Sequence, residues 1–357
     1  MKKIFFAVVL LTQLTAFSQQ RDYKVIAYSM GDVETMKQYP LQKLTHIIYS
    51  FLHLRNDSLT WSDDKQRNTL VQLGELKKQY PNLKIMVSLG GWGGCEPCSE
   101  IFSTEEHRNT FAKTTVELLK EFNLDGLDLD WEYPTIEGYP GHNYSSNDKQ
   151  NFTELVKALR KEMGKDYLLA FAAGGFSDYL EKSVDWEAVM PEVDFVNLMT
   201  YDLVSGFSKV TGHHTPLKGY RPNQQSTENC VNWLLQHGVK SEQLIIGAAF
   251  YARVWEQVQP DNNGLYNAGS FKHGVPYKNF ETYFSDTSGF RYYWDKKARA
   301  PYRYNESKQL FATFDDERSI KAKTKFIRRK KLGGIMFWEL REDKKTEGLV
   351  DVISNHL

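Results

Sequence analysis

Short runs of apolar and β-branched residues recur along the chain and predict eight strands. The predicted strands are residues 24–28, 46–51, 84–89, 126–131, 168–173, 194–201, 244–250 and 333–338. Most are followed by apolar residues at helical spacing, which predict helices at 65–80, 104–122, 146–163, 227–237 and 316–329. This alternation predicts an α/β fold with a parallel sheet, and eight units favour a closed (β/α)8 TIM barrel. An open doubly wound sheet is the alternative, but no GxGxxG follows the first strand.

One interval breaks this rhythm after the seventh predicted strand. More than 80 residues separate Phe250 from Leu332, which is too long for a barrel loop and a single helix. Residues 254–312 are rich in Tyr, Phe, Trp, Gly and Asn, and they predict an inserted subdomain of small strands. Its position places it at the C-terminal rim of the barrel, where active sites of this fold are built.

The N-terminus has the pattern of an export signal. Two lysines, Lys2 and Lys3, precede an apolar stretch at 4–11, and Ala16-Phe17-Ser18 has small residues at the positions a signal peptidase reads. A membrane anchor is the alternative, but the apolar stretch is well short of the ~20 residues that span a bilayer. We therefore predict a signal peptide at 1–18 with cleavage after Ser18, a mature chain of 19–357 without membrane insertion, and a secreted or periplasmic location.

Composition narrows the classes of partner. The chain has 45 basic and 45 acidic residues, so no net field attracts nucleic acid or an anionic membrane. Aromatic residues make up 14% of the chain and are suited to stacking on sugar rings.

The chain has three cysteines. Cys95 and Cys98 either close a small local loop or remain free thiols, and Cys230 lies in a helical apolar pattern typical of a core residue.

The stretch DGLDLDWEYP, residues 125–134, places three acids at every second position of a strand. Asp128, Asp130 and Glu132, hereafter the acidic row, share one face, and the Leu and Trp residues between them share the other. Burying three carboxyls in a barrel costs several kcal/mol unless they share protons or hydrogen bonds, so a purely structural role is disfavoured. Repulsion between like charges moves the pKa values of the three carboxyls apart. The carboxyl that stays protonated can act as a general acid.

A calcium loop also spaces its acids by two residues. It uses polar intervening residues and a glycine at its sixth position, whereas this stretch is interrupted by Leu and Trp. We therefore predict no metal site. Glu132, the last acid, is predicted to emerge at the C-terminal mouth of the barrel, and Asp125, on the opposite face, is predicted to be structural.

Five motifs carry a resemblance to a known family. DGLDLDWEYP resembles the DxxDxDxE signature of family 18 glycoside hydrolases, the chitinases. SLGGW (88–92), MTYD (199–202) and GGIMFWEL (333–340) are similar to the family's third-, sixth- and eighth-strand motifs, and FYAR (250–253) to its FYGR, with Ala252 in place of Gly. The motifs occur in the family's order across nearly the whole mature chain. The aromatic insert resembles the α+β insertion of one chitinase subfamily.

The resemblance implies a mechanism in which the substrate's own acetamido group is the nucleophile, an exception among retaining glycosidases. Glu132 would protonate the glycosidic oxygen and later activate water. Asp130 would orient the N-acetyl group, and Asp128 would hold a shared proton. Tyr201 would donate a hydrogen bond to the acetamido carbonyl, and Asp202 would help bind the distorted sugar. No cofactor is implied.

Substrate-binding positions follow from the same resemblance. Trp338 would form the floor beneath the sugar at the cleavage point. The other expected binding residues are Tyr28, Phe51, Trp61, Gly91, Trp92, Tyr133, Met199, Tyr251 and Arg253. His213 and His214 are expected to shape a loop rather than to bind metal.

These residues together predict an exported, endo-acting, monomeric chitinase that hydrolyses β-1,4-linked N-acetylglucosamine polymers with retention of configuration. One alternative is a family 18 endo-N-acetylglucosaminidase that acts on glycans or peptidoglycan. The other is a non-catalytic chitin-binding lectin. Lectins of this kind usually lack the acid at the position of Glu132, which is present here.

Overall fold

The computed structural model describes residues 23–357. The predicted signal peptide, 1–18, and its cleavage after Ser18 lie outside the described residues. Within residues 23–357, no helix combines the length and apolar character needed to cross a membrane.

The described chain alternates strands and helices. The strands are β1 Lys24–Ser29, β2 His46–Arg55, β3 Ser58–Thr60, β4 Lys84–Gly90, β5 Gly126–Asp130, β6 Leu168–Gly174, β7 Phe195–Met199, β8 Leu244–Ala249, β9 Tyr251–Glu256, β10 Ser270–Pro276, β11 Arg291–Asp295, β12 Ala300–Asn305, β13 Leu310–Thr313 and β14 Gly334–Trp338. The helices are α1 Val33–Met36, α2 Asp64–Gln79, α3 Cys98–Ile101, α4 Glu105–Glu121, α5 Asp148–Met163, α6 Ser177–Lys182, α7 Trp186–Val189, α8 Thr227–Gln236, α9 Phe280–Tyr283, α10 Glu317–Lys330 and α11 Leu349–Ser354.

Eight parallel strands close into a barrel. Their order is β1, β14, β8, β7, β6, β5, β4 and β2, and the pairing of β1 with β2 closes the ring. Each corresponds to one of the eight predicted strands, so the (β/α)8 TIM barrel prediction is confirmed. The five predicted helices are present as α2, α4, α5, α8 and α10.

Local capping explains where the long helices begin. Thr104 precedes α4, and its side chain accepts a hydrogen bond from the backbone N–H of His107. Asp316 precedes α10 and forms a reciprocal capping box with Ser319. Such caps satisfy backbone donors that the first turn of a helix leaves unpaired.

Apolar residues fill two layers. Between the barrel and its helices lie the alternate residues of β5 and of its neighbours, including Leu127, Leu129 and Trp131. Inside the barrel, Ile26, Met86 and other inward-facing apolar side chains form a second cluster. The interior becomes polar toward the carboxyl ends of the strands, where the acidic row is found, because one face of β5 carries acids.

A second sheet lies between β8 and α10 in the chain. It is antiparallel, with the order β10, β9, β13, β12, β11, and it carries a separate apolar cluster on each face. Helix α9 packs with Phe284 and Phe314 on one of these clusters. This unit confirms the predicted α+β insertion after the seventh barrel strand.

Two strands differ from the prediction. Strand β2 continues to Arg55 and forms a hairpin with β3 that the periodicity did not predict. Strand β7 was predicted to reach Tyr201 but ends at Met199, because the backbone turns there: Thr200 N–H donates to Leu198 C=O at 2.7 Å, and Asp202 has φ 55°. Tyr201 and Asp202 therefore lie on the rim rather than within the strand.

Candidate active site

Asp128 is the deepest member of the acidic row. Its carboxylate is fully buried and accepts hydrogen bonds from Ser88 Oγ (2.8 Å), Tyr28 OH (3.0 Å) and Asn197 Nδ2 (3.0 Å). Burial raises the pKa of Asp128 to about 6, although these three donors oppose the shift. Asp128 therefore lies in a polar network that holds its carboxyl by three hydrogen bonds while burial raises its pKa.

Asp130 is the middle member of the acidic row, and one of its carboxyl oxygens lacks a hydrogen bond within residues 23–357. Its side chain is buried, and its Oδ1 has no hydrogen-bond partner within the described chain. Burial, followed by the charges of Glu132 and Asp128, raises the pKa of Asp130 well above its ordinary value. An unpaired buried carboxyl oxygen is costly, so it is suited to a substrate group that completes the bonding.

Glu132 lies two residues beyond the end of β5, at the barrel mouth, and is partly exposed. Burial raises the pKa of Glu132 to about 7, against the effect of a hydrogen bond with Tyr133, and the charge of Asp202 adds to the rise. A carboxyl group that holds its proton near neutral pH and reaches the mouth is able to serve as a general acid.

Asp202 faces the row from the end of β7 and remains ionised. Although burial alone would raise its pKa, hydrogen bonds from Arg253 and His214 hold the pKa of Asp202 below its ordinary value. Arg253 makes two charge-assisted contacts to the carboxylate, and His214 Nδ1 lies 3.3 Å from Asp202 Oδ1. The carboxyl pKa values on the two sides of the site are thus shifted in opposite directions.

Three aromatic side chains, among them the predicted floor residue Trp338, pack together beside this site. The ring of Trp338 stacks on Phe51 with a centroid distance of 5.5 Å and an interplanar angle of 18°, and it lies 6.0 Å from the ring of Tyr28. Gly91, with φ 78°, is required behind this floor, because a Cβ there would come within 2.4 Å of the Phe51 ring.

A second group of rings lies at the rim. Trp92 is 46% exposed, and its ring contacts Tyr133 (6.3 Å), Tyr139 (5.6 Å) and Phe207 (6.2 Å). Phe207 is 64% exposed. Such rings at the mouth present flat apolar surface to solvent beside the acid.

The remaining predicted residues have distinct places. Tyr201 contacts Tyr251 at a ring distance of 6.3 Å, and Met199 packs in the barrel interior with Tyr28. Trp61 is separate from this group: its ring packs edge-on against Phe122, after helix α4, at 5.4 Å. The hairpin of β2 and β3 directs it to the outer layer, so the expectation that it binds substrate is not supported by its position.

Three partners of the site were not among the residues predicted to act. Ser88 and Asn197 bond Asp128, and His214 bonds Asp202. A signal for the first two exists, since each is an isolated polar residue on the inward face of an apolar strand. Ser88 pairs in register with Asp128 across β4 and β5. His214 has no such signal, because only the fold brings its loop to β7.

Cys95 and Cys98 form a disulfide, which decides between the two predicted alternatives. The bond lies in the loop that carries Trp92, and Cys95 also lines a small gap together with Glu132 and Tyr133. Cys230 is buried, and burial raises the pKa of its thiol to about 12, as expected for a core residue. His213 is buried and bonds Asp295 at 3.1 Å.

Comparison with known proteins agrees with this geometry. The family model described as glycosyl hydrolases family 18 matches residues 17–343. Chitinase A1 of Niallia circulans is 34% identical over 310 residues, covering 80% of this chain but 44% of that protein. Chitinase B of Serratia marcescens is 26% identical over 402 residues, covering 94% of this chain and 80% of that protein.

A solved structure extends the comparison to the fold. A family 18 N-acetylglucosaminidase from Paenibacillus barengoltzii superposes with a TM-score of 0.85 at 36% identity, covering 94% of this chain and 100% of that one. With the barrel, the acidic row and the family model in agreement, the chain belongs to family 18 of the glycosyl hydrolases.

Proposed function

We propose that the chain is an exported chitinase that hydrolyses β-1,4-linked N-acetylglucosamine polymers with retention by substrate-assisted catalysis. The observation that carries the proposal is Glu132 at the barrel mouth, with a pKa raised to about 7. Its neighbour Asp130 has a buried oxygen without a partner. The names of the two curated relatives support a chitin-type substrate.

In this mechanism Glu132 donates its proton to the glycosidic oxygen as the bond to the leaving sugar breaks. The acetamido oxygen of the sugar that stays in the site attacks the anomeric carbon of that same sugar, from the face opposite the leaving group. Asp130 accepts a hydrogen bond from the acetamido nitrogen through its unpaired oxygen, and Tyr201 donates to the acetamido oxygen before it attacks. Glu132, now ionised, then takes a proton from water, which opens the intermediate with retention.

The sugar would lie on Trp338, whose flat ring matches the apolar face of a pyranose. Asp202, held ionised by Arg253, would accept hydrogen bonds from sugar hydroxyls, and Tyr251 would add surface beside it. Further sugar units would extend along Trp92 and Tyr133. We further propose a monomeric mature unit of 19–357 with the insertion at 254–312, secreted or periplasmic.

Hydrolysis of a soluble N-acetylglucosamine hexamer tests this function. The wild-type protein should release products with the β-anomer in early excess, and Glu132→Gln should lower kcat by about 10²–10⁴ while still binding the hexamer. Glu137→Gln is the matched control, because it makes the same change at an exposed position of the same loop and should leave kcat unchanged. Early excess of the α-anomer, or full activity of Glu132→Gln, would contradict the mechanism.

The full-length match to a family 18 N-acetylglucosaminidase supports a second candidate, an enzyme of that specificity. Product analysis separates the two functions. A chitinase acting within the polymer releases dimers and longer oligomers from the hexamer, whereas release of the monosaccharide alone would favour the second candidate. Binding without cleavage in the wild-type protein would instead indicate a lectin.

A further inference from the structure

A groove of about 620 Å³ opens on the insertion subdomain, outside the site described above. Its walls come from helix α9 and the residues after it, from strands β11 and β12, from the start of helix α10 and from the segment between β14 and α11. We call it the outer groove and define it by Phe280, Ser285, Tyr292, Arg303, Asp316 and Lys344. Its volume lies in the range of sites that hold small molecules.

Strand register places the outer groove on the face of the second sheet that points away from the acidic row. Tyr292 pairs directly with Arg303, Arg303 with Ala312, and Ala312 with Val254, so these four residues share one face. The next residue before Val254 is Arg253, which points to the opposite face and contacts Asp202. A ligand in the outer groove would therefore not occupy the catalytic site.

Several polar groups that line the outer groove already have partners within the protein. Tyr292 OH donates to Asp316 Oδ2 at 2.9 Å, and Arg303 Nη1 donates to the backbone carbonyl of Phe284 at 3.3 Å. Lys344 forms an ion pair with Glu281. Four acidic and three basic side chains line the groove, so it offers little net charge to select an anion or a cation. A neutral ligand fits it better.

The aromatic lining favours a ligand with flat apolar faces. Tyr292 is 40% exposed, and the Arg303 guanidinium lies 5.5 Å from its ring centroid. Phe280 is partly buried beside it in the groove wall. Aromatic faces beside hydrogen-bonding carboxylate, guanidinium and hydroxyl groups are the combination that a pyranose ring requires, since its C–H face is apolar and its edge carries hydroxyls.

We propose that the outer groove is a second carbohydrate-binding site, which holds N-acetylglucosamine units of the insoluble polymer while another segment lies at the acidic row. The inference rests on the proposed function, because that function supplies the polymer. Its physical role is bivalent attachment: once one segment of an insoluble chain is held, the other binds at a raised effective concentration.

The test measures binding of the full chain to insoluble chitin particles, in a Glu132→Gln background so that the polymer is not cut. Tyr292→Ala should raise the apparent Kd about five-fold, as loss of one stacking contact does. Tyr292→Phe, which keeps the ring, should bind nearly as the parent. In the otherwise wild-type protein, Tyr292→Ala should leave kcat/KM on the soluble hexamer unchanged.

Tyr220→Ala is the matched control for this variant. Tyr220 is also 40% exposed, and its hydroxyl also donates to an aspartate, Asp295, at 2.8 Å, but it does not line the outer groove. It should not change binding to chitin. A second variant, Ser285→Arg, fills the groove without removing a ring, and it should weaken binding to chitin as Tyr292→Ala does. If Tyr292→Ala lowers the melting temperature, Ser285→Arg is used as the test in its place.

Unchanged binding of Ser285→Arg and Tyr292→Ala to chitin would overturn the outer groove as a sugar site. So would an equal loss in the soluble hexamer assay, which would show that the variants damage the catalytic site. Failure of the proposed function is distinguishable, because the wild-type protein would then not cleave the hexamer whatever its binding to particles.

Discussion

The pKa of Glu132 is raised chiefly by desolvation, and two neighbours, Tyr133 and Asp202, adjust it in opposite directions. Burial is the largest cause of its raised pKa, and the hydrogen bond with Tyr133 acts in the opposite direction. The carboxyls of Asp128 and Asp130 also have raised pKa values, so the row holds fewer than three negative charges near neutral pH. Titration of the row is therefore shared, and its steps belong to the set.

The pH dependence of kcat/KM follows from this arrangement. A general acid works in its protonated form, which for Glu132 is present below a pKa of about 7 and lost above it. We expect kcat/KM on the soluble hexamer, which reports the groups of the free enzyme, to fall about ten-fold per pH unit above this value. Tyr133→Phe removes the hydrogen bond that lowers the pKa of Glu132, so the alkaline fall should move to higher pH. A shift to lower pH would contradict the assignment.

Helix α10 is anchored to the barrel by a buried ion pair. Lys323 Nζ donates to Asp315 Oδ2 (2.5 Å), Thr215 Oγ1 (2.6 Å) and the carbonyl of Gly247 (3.2 Å), and both charged side chains are fully buried. Asp315 Oδ2 also accepts from the backbone N–H of Ala249. One network thus joins α10, the loop after β7 and strand β8.

Lys323→Met should lower the free energy of unfolding by about 3–5 kcal/mol, because it leaves the Asp315 carboxylate buried without its cation. Adding Asp315→Asn to this variant removes the uncompensated charge and should recover part of the loss. Urea unfolding measures both effects. Lys321→Met, in an exposed pair with Glu317 on the same helix, is the control and should change little. A small loss in Lys323→Met would contradict the role of the pair.

The start of helix α5 organises the loop that carries the acid. Asp148 is fully buried and accepts from Ser99 Oγ (2.8 Å), the backbone N–H of Ser145 (2.7 Å) and that of Thr135 (3.4 Å). Ser99 follows the disulfide directly, and Thr135 is three residues beyond Glu132. The carboxylate thus connects the loop after β4 to the loop after β5.

Asp148→Asn replaces one accepting oxygen with an amide that faces these donors. We expect it to destabilise the protein by about 1–3 kcal/mol and to lower kcat on the hexamer more than it raises KM, because the position of Glu132 is loosened. Asp64→Asn is the control, since Asp64 is likewise the first residue of a helix but is exposed. Loss of stability with unchanged kcat would restrict Asp148 to a structural role.

At the scale of the whole molecule, charge is balanced and the proposed substrate is neutral. The chain carries 45 basic and 45 acidic residues. Long-range steering should therefore be weak, and kcat/KM on the hexamer should change less than about two-fold between ~50 mM and ~500 mM NaCl. A steep fall with salt, measured with the same substrate, would indicate an anionic substrate instead.

Much of this architecture could be predicted because it depends on local patterns. A strand buried on both faces needs a run of apolar residues, and a capped amphipathic helix needs a polar cap and spaced apolar residues, so β4, β8, α4 and α10 were each located within a few positions. The acidic row was predicted from two-residue spacing alone, because side chains alternate along a strand.

Contacts between distant segments decided the rest. The position of Trp61 depends on a hairpin that no periodic pattern predicted. The partners of Asp202 are Arg253 and His214, which lie elsewhere in the chain. The outer groove needed the register of five strands and the start of helix α10. Periodicity reports only which face of an element is buried, whereas a protonation state or a cavity depends on what the packed chain brings to that face.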